Sequence, residues 1–301
     1  MPNVYVYGMV SHSTVHCLRA DFRFPKPNTY AEVAETLISV GGEAANSGIV
    51  LAKLGFSTKL DGNWLPTRHA AVVRSILNRF GIDVSRLEES DELGTDEVVI
   101  ADGETRTVFG NYAAFHSGPR QWNSAQPDDV RQSDIVCLDP YFREQSRQAA
   151  ELCVEFRKPY VTLDCRYDDY IAINAAAVIV SHELRDQAYV GCNLEEVFLK
   201  YQSTCKGLII FTFGGDHAWY ARAGEPRKFQ VPYKIKPLDT TGAGDSFRGA
   251  IAYGLVQNWS DDKILDFASA VAACVCLTRP HALNAPDLAG VLEFMRSCVR
   301  D

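Results

Sequence analysis

The chain has 301 residues, 47% hydrophobic and 23% charged, the balance of a globular protein with a large core rather than of a disordered chain. It carries 30 basic against 38 acidic residues, a net charge of -8, which argues against an extended basic face for nucleic acid. Any bound nucleotide must then be held by backbone amides and a metal rather than by a basic surface. The nine cysteines include no C-x-x-C pair and read as free thiols of a reducing compartment, with Cys274 and Cys276 as small buried hydrophobes. The start, Met-Pro-Asn-Val-Tyr-Val-Tyr-Gly, shows no signal-peptide pattern, and no apolar run approaches membrane-spanning length. A cytoplasmic soluble protein is the expectation.

In chain order, Val4 to Val10 reads as a first buried strand. Residues 12 to 40 read as irregular, with a second extended segment ending at Gly41-Gly42. Glu43 to Leu54 reads as a helix stopped by Gly55, Ser57 to Leu60 as a strand, and Arg68 to Phe80 as a helix stopped by Gly81. Glu97 to Ala101 and Thr105 to Phe109 flank Asp102-Gly103, a strong hairpin signal. Strands and helices then alternate: strand 135–138, helix 144–156, and strands at 160–163, 178–180 and 207–213. That alternation predicts an α/β fold with a mostly parallel sheet flanked by helices on both faces. The hairpin (about 94–116) and the 12–40 segment break the rhythm and are expected to form a small β lid on a single domain spanning 1–301. Helices follow at 243 onward, at Asp261 to Cys276 and at Asp287 to Cys298.

The chemistry concentrates in Asp239-Thr240-Thr241-Gly242-Ala243-Gly244-Asp245, which runs into a helix striped by Phe247, Ile251 and Leu255. Gly242, Ala243 and Gly244 at a helix start leave backbone N–H groups pointing forward, an anion site reinforced by the helix dipole. Asp245 at its mouth would repel a phosphate unless it meets a hydroxyl or a cation there. In-line phosphoryl transfer needs that pairing of a base with an anion pocket. An isolated G-x-G-D would read instead as a first-turn helix acid. The whole string, through Phe247, resembles the second signature of the ribokinase-like (PfkB) carbohydrate kinases, D-T-x-G-A-G-D-x-F. Gly41-Gly42-Glu43-Ala44-Ala45-Asn46 with Leu51-Ala52-Lys53-Leu54-Gly55 resembles that family's first signature. Thr212-Phe213-Gly214 and the stretch from Phe267 through Thr278-Arg279-Pro280 are similar to its nucleotide-side landmarks.

The resemblance implies an ATP-dependent kinase acting on a hydroxyl of a sugar or sugar derivative, with Asp245 as general base. It implies acceptor contacts from Gly41, Gly42, Asn46, Ser13 and Arg106, with Thr107 beside it on the lid strand. Ser181, Thr212, Gly214, Gly242 and Gly244 would face ATP. The cofactors implied are Mg²⁺ with ATP, near Glu183, and K⁺ held by the peptide oxygens of Asp239 and Thr241 with the turn from Arg279 to Asn284. A homodimer covering the open hairpin edges is also expected. Several positions depart from the pattern: Ser13 replaces an acid, and Ser181-His182-Glu183-Leu184 replaces N-x-x-E. Asp61-Gly62-Asn63 replaces Gly-Asp-Asp, and His217 and His281 stand at common glycine positions. His12 and His16 read as an ordinary polar pair rather than metal ligands, and Arg248 as a solvated helix residue or a contact to an acidic acceptor. The competing readings are a nucleoside kinase of the same fold and a non-catalytic sugar or nucleotide sensor. A Rossmann dehydrogenase and a P-loop NTPase are disfavoured because neither glycine motif occurs.

Overall fold

The computed structural model describes residues 1–92, 94–103 and 105–298. Residue 104 of the expected lid and residues 299–301 of the expected domain lie outside the described residues. The strands are β1 (Asn3–Gly8), β2 (Ser11–Leu18), β3 (Val33–Gly41), β4 (Ser57–Gly62), β5 (Leu65–Pro66), β6 (Glu89–Ser90), β7 (Asp96–Ala101) and β8 (Arg106–Gly110). They continue with β9 (Ile135–Leu138), β10 (Tyr160–Leu163), β11 (Ala177–Val180), β12 (Leu208–Phe211), β13 (Ala218–Ala221) and β14 (Lys228–Gln230). The helices are α1 (Glu43–Lys53), α2 (Thr67–Asn78), α3 (Tyr112–Ser117), α4 (Pro127–Gln132), α5 (Glu144–Glu155) and α6 (Tyr170–Asn174). After them come α7 (His182–Ala188), α8 (Leu194–Thr204), α9 (Ala243–Val256), α10 (Asp261–Cys276) and α11 (Leu288–Ser297).

The larger sheet runs β14-β13-β12-β11-β10-β9-β1-β4, parallel from β4 to β12 and antiparallel at β13 and β14. Alternate residues of its strands feed two cores. Val4, Val6, Ile135, Cys137, Leu208 and Ile210 pack with α1, α9 and α10. Tyr5, Tyr7, Val136, Leu138, Ile209 and Phe211 pack with α5 and α8 on the other face. Both faces are covered, so the middle strands β9, β11 and β12 are apolar throughout. This is the expected α/β layering. The antiparallel edge strands and helices α3, α4, α6, α7 and α8 had no matching expectation.

The smaller sheet runs β3-β2-β7-β8, with β2 and β7 parallel and the outer pairs antiparallel. The hairpin forms as expected. In the 12–40 segment β3 is the extended stretch expected to end at Gly41-Gly42, whereas β2 is a long strand where the sequence reads as irregular. No apolar run marks β2 because its inner row is Ser11, Ser13, Val15 and Cys17, against His12, Thr14 and His16 outside. The expected strand Val4–Val10 likewise divides. β1 ends at Gly8, where a Cβ would fall 1.9 Å from Asp139 Oδ2, and the chain turns at Met9-Val10 into β2. Asn63 holds that turn, accepting from the Val10 N–H at 2.7 Å and donating to its carbonyl at 2.8 Å. The Asn63 departure from the family pattern therefore serves the junction of the two sheets.

β1 sits between β9 and β4, so the strand order reverses there, and the carboxyl ends of the strands open a crevice at that switch point. The cysteines carry no disulfide, and Cys274 and Cys276 are buried as expected.

Candidate active site

Asp245 stands in the first turn of α9, half-buried at the edge of that crevice. Its helix begins at Gly242, whose φ of 69° is the left-handed conformation that glycine adopts without strain. A Cβ there would also press on the Asn46 side chain at 3.2 Å. Asn46 Nδ2 donates to Asp245 Oδ2 at 2.8 Å, and Ser47 Oγ donates to the Asp245 carbonyl at 2.9 Å. The two signatures, some two hundred residues apart in sequence, thus meet at one carboxyl. Asn46 in this arrangement orients the carboxyl through Oδ2, and no hydrogen bond among the described residues occupies Oδ1.

Arg248 fixes the frame beneath. Its guanidinium is 1% exposed and forms an ion pair with Asp139, itself fully buried at the end of β9. Arg248 Nε donates to Ser47 Oγ at 3.0 Å and Nη2 to the Glu43 carbonyl at 2.8 Å. Asp139 Oδ2 accepts the Met9 N–H at 2.7 Å. Burial opposes the guanidinium charge, and Asp139 more than offsets it, so the Arg248 pKa lies above its ordinary value. Arg248 is therefore neither solvated nor turned to the acceptor; both expectations are corrected, because its side chain lies between α9, α1 and β9.

Gly42 has φ 88°, and a Cβ there would come 2.3 Å from the Met9 carbonyl, so the chain can pass over β1 only as glycine. Gly41 is buried beside Glu97: its Cβ would fall 2.1 Å from Glu97 Oε1. Glu97 was not anticipated from sequence. It shares a row of the smaller sheet with Ser13 and Ser39, and its Oε2 accepts the Tyr112 hydroxyl at 2.5 Å. Burial pushes the Glu97 carboxyl up, the Tyr112 hydroxyl pulls it down, and Asp245 adds repulsion. The buried Ser13 Oγ lies beside that carboxyl but in no hydrogen-bond geometry. Arg106 stands opposite Ala101 on the crevice side and donates from Nη1 to the Thr240 carbonyl at 2.9 Å. Thr107, paired with Ile100, falls on the other face, so only Arg106 of that pair turns toward the site.

On the other side of Asp245, the Ala243 N–H is turned to the Thr240 carbonyl at a long 3.4 Å, while nothing lies within 4 Å of a Cβ placed on Gly244. Gly214, with φ 63°, likewise has open space above it at the end of β12, next to Thr212. Ser181 caps α7 and donates to Asp164 Oδ2 at 2.8 Å, while its N–H donates to Oδ1 at 2.8 Å. Asp164, another unanticipated residue, has its carboxyl raised by burial against those bonds. Glu183 is exposed in the first turn of α7. Arg185, buried, donates to the Thr212 carbonyl at 2.7 Å and lies 4.1 Å over the Phe213 ring, bracing that turn. Asp239 Oδ1 accepts from the Thr241 N–H at 2.9 Å and Oγ1 at 2.7 Å, which fixes the loop before Gly242. Arg279 donates to the Leu238 carbonyl at 2.7 Å, joining that loop to the 279–284 turn. His217 is exposed in the β12–β13 turn, and the His281 side chain lies outside the described residues.

His12 and His16 do not meet. His16 bonds Thr36 at 2.9 Å, whereas His12 reaches Asp96 at 2.9 Å and stacks on His69 with ring centroids 3.9 Å apart. The ligand atoms of His12, His69 and Asp96 lie within 4.8 Å of one another. The two rings are parallel within 3°, so their in-plane lone pairs do not converge on one ion.

A carboxyl in the first turn of a helix whose glycine-flanked start adjoins open space fits a small-molecule phosphotransferase. The family model described as pfkB family carbohydrate kinase matches residues 1–287, and the chain belongs to that family. It is 24% identical over 285 residues to the 5-dehydro-2-deoxygluconokinase of Bacillus licheniformis, covering 85% of this chain and 86% of the relative. Among solved structures it resembles Arabidopsis thaliana ribokinase complexed with ribose and ATP, with TM-score 0.79, 19% identity, and 98% and 99% of the two chains covered. It also resembles Burkholderia thailandensis nucleoside kinase in complex with inosine, with TM-score 0.76, 16% identity, and 98% and 97% covered. These structural likenesses support the ribokinase-like fold. No helix among the described residues is long and apolar enough to cross a membrane.

The Arg248 clamp gives a stability test. Arg248→Met leaves Asp139 charged and unpaired in the core, and is expected to lower unfolding free energy by about 3–5 kcal/mol in urea denaturation. Arg248→Met combined with Asp139→Leu should recover most of that loss. A single variant within about 1 kcal/mol of the parent contradicts the buried ion pair.

Proposed function

We propose that the protein transfers the γ-phosphoryl group of ATP to a hydroxyl of a sugar or sugar derivative, with Asp245 as general base. The observation that carries this reading is the Asp245 carboxyl, anchored at Oδ2 by Asn46, beside the open space over Gly244. An acceptor hydroxyl would donate to Asp245 while its oxygen faces the phosphorus. The amides of Gly242, Ala243 and Gly244 would receive the charge of the transferring group; the long Ala243 bond to Thr240 is one a phosphate oxygen can displace. Gly41, Gly42, Asn46, Ser13 and Arg106 border the acceptor space, and Ser181, Thr212 and Gly214 border the nucleotide space at the strand ends.

The oxygen-rich groups on the nucleotide side suit hard cations. Asp164, with Glu183 beside it, would hold Mg²⁺ through water, and the Asp239 and Thr241 peptide oxygens would hold K⁺ over the buried Asp239 carboxyl. Such cations neutralise phosphate charge. The nucleoside-kinase and sensor readings are not favoured: the matching family is one of carbohydrate kinases, and the base and its amide partners stand together.

The smaller sheet would act as a lid that closes over the acceptor and keeps water from the phosphoryl group. Its outer face supports a homodimer. Ile38, Thr14, Val98 and Phe109 form one row across four strands, with the three apolar members 46%, 37% and 54% exposed.

Three outcomes test this reading. Asp245→Asn should lower kcat by at least about 10²-fold with little change in ATP affinity; a loss under about tenfold contradicts the base. Gly244→Val, placed where the backbone has room, should raise the KM for ATP while leaving the thermal melt near that of the parent. Unchanged nucleotide kinetics would count against the anion site. Val98→Glu should shift the protein to monomer in sedimentation, and an unchanged mass would remove this face as the interface.

A further inference from the structure

The acceptor side of the site holds more carboxyl groups than one proton transfer uses. Besides Asp245, Glu97 enters from the smaller sheet and Glu43 from the first turn of α1. Glu97 is 7% exposed; Tyr112 bonds its Oε2, and Oε1 lies over Gly41. No donor among the described residues reaches Oε1 in hydrogen-bond geometry. The Ser13 hydroxyl next to it is buried and also unbonded. A fold ordinarily satisfies such polar groups from within, and Glu97 stands close enough to Asp245 for that charge to act on it. Glu43 lies close enough to Asp139 and Asp245 that burial and their charges raise its carboxyl well above the usual range.

The positive charges nearby are already engaged by the protein itself. Arg248 is closed off by Asp139, Ser47 and the Glu43 carbonyl. Among the described residues Arg106 is the guanidinium carried by the smaller sheet, and it is engaged with the Thr240 carbonyl. An acceptor carrying a carboxylate would meet Glu97 and Asp245 together, a juxtaposition that like charges oppose. An acceptor carrying an ammonium would satisfy Glu97 Oε1 and relieve the crowding at once.

We propose that the acceptor is a non-acidic sugar derivative bearing a protonated amine, which Glu97 receives through Oε1 over Gly41. This rests on the kinase reading above and departs from the aldonate named for the curated relatives. Glu97 supplies the carboxyl that Ser13 lacks, entering from the neighbouring strand at the same row of the sheet.

The test compares ADP release with three acceptors: an amino sugar such as 1-amino-1-deoxyfructose, neutral fructose, and 5-dehydro-2-deoxygluconate. Expected kcat/KM falls in that order, with about 10²-fold between first and last. In Glu97→Gln the amine's advantage over fructose should shrink by about tenfold through KM, with the KM for ATP unchanged. Glu97→Asp, which keeps the charge, should retain the preference, so loss of fold and loss of recognition are told apart. Preference for the aldonate, equal use of fructose and the amine, or an intact preference in Glu97→Gln would each overturn the assignment while leaving the kinase reading standing. No ADP release with any acceptor would overturn both.

Discussion

One buried ion pair ties the catalytic helix to the rest of the molecule. Arg248 lies on α9 one turn beyond Asp245, and its partner Asp139 ends the strand beside β1. Through Ser47 and the Glu43 carbonyl the same guanidinium grips α1, which carries Asn46. Two charges removed from water gain net stability only with complete hydrogen bonding, and here each side of the guanidinium has an acceptor. The arrangement sets the position of Asp245 through stiff elements rather than through loops. At Gly42 a side chain would strike the Met9 carbonyl, and at Gly8 it would strike the Asp139 carboxyl.

Around that frame the work divides between the two sheets. The larger one offers strand ends and a helix start to the nucleotide, where amides and main-chain oxygens dominate. The smaller one would offer side chains to the acceptor, where in the proposed reading Glu97, Ser13 and Arg106 decide what fits. A shared scaffold can therefore keep its phosphoryl chemistry while the acceptor changes, because the residues that recognise the acceptor belong to separate strands.

Much of this was legible in the sequence, for identifiable reasons. The string from Asp239 to Asp245 and the pair Gly41-Gly42 are local patterns, since a glycine-flanked helix start shows in consecutive residues. The parallel sheet showed as apolar runs between helical stretches. Glu97 was invisible because its role depends on register: only the pairing of β7 with β2 brings it beside Ser13 and over Gly41. Arg248 was misread because a lone arginine on a helix gives no sign of a buried partner more than a hundred residues away. Strand β2 was missed as regular structure because Ser11, His12, Ser13, Thr14 and His16 leave it no apolar run, whereas β3 showed as the extended segment ending at Gly41-Gly42. Asp164 and the edge strands β13 and β14 carry no motif.

The central claim is that Asp245 acts as a base in one direct displacement and never carries the phosphoryl group itself. The stereochemical course at phosphorus tests it most directly, using ATP made chiral at the γ-phosphorus with three oxygen isotopes. A single in-line transfer predicts inversion of configuration in the phosphorylated acceptor. Retention would mean two displacements through a phosphorylated residue such as an aspartyl phosphate, and would contradict the role given to Asp245.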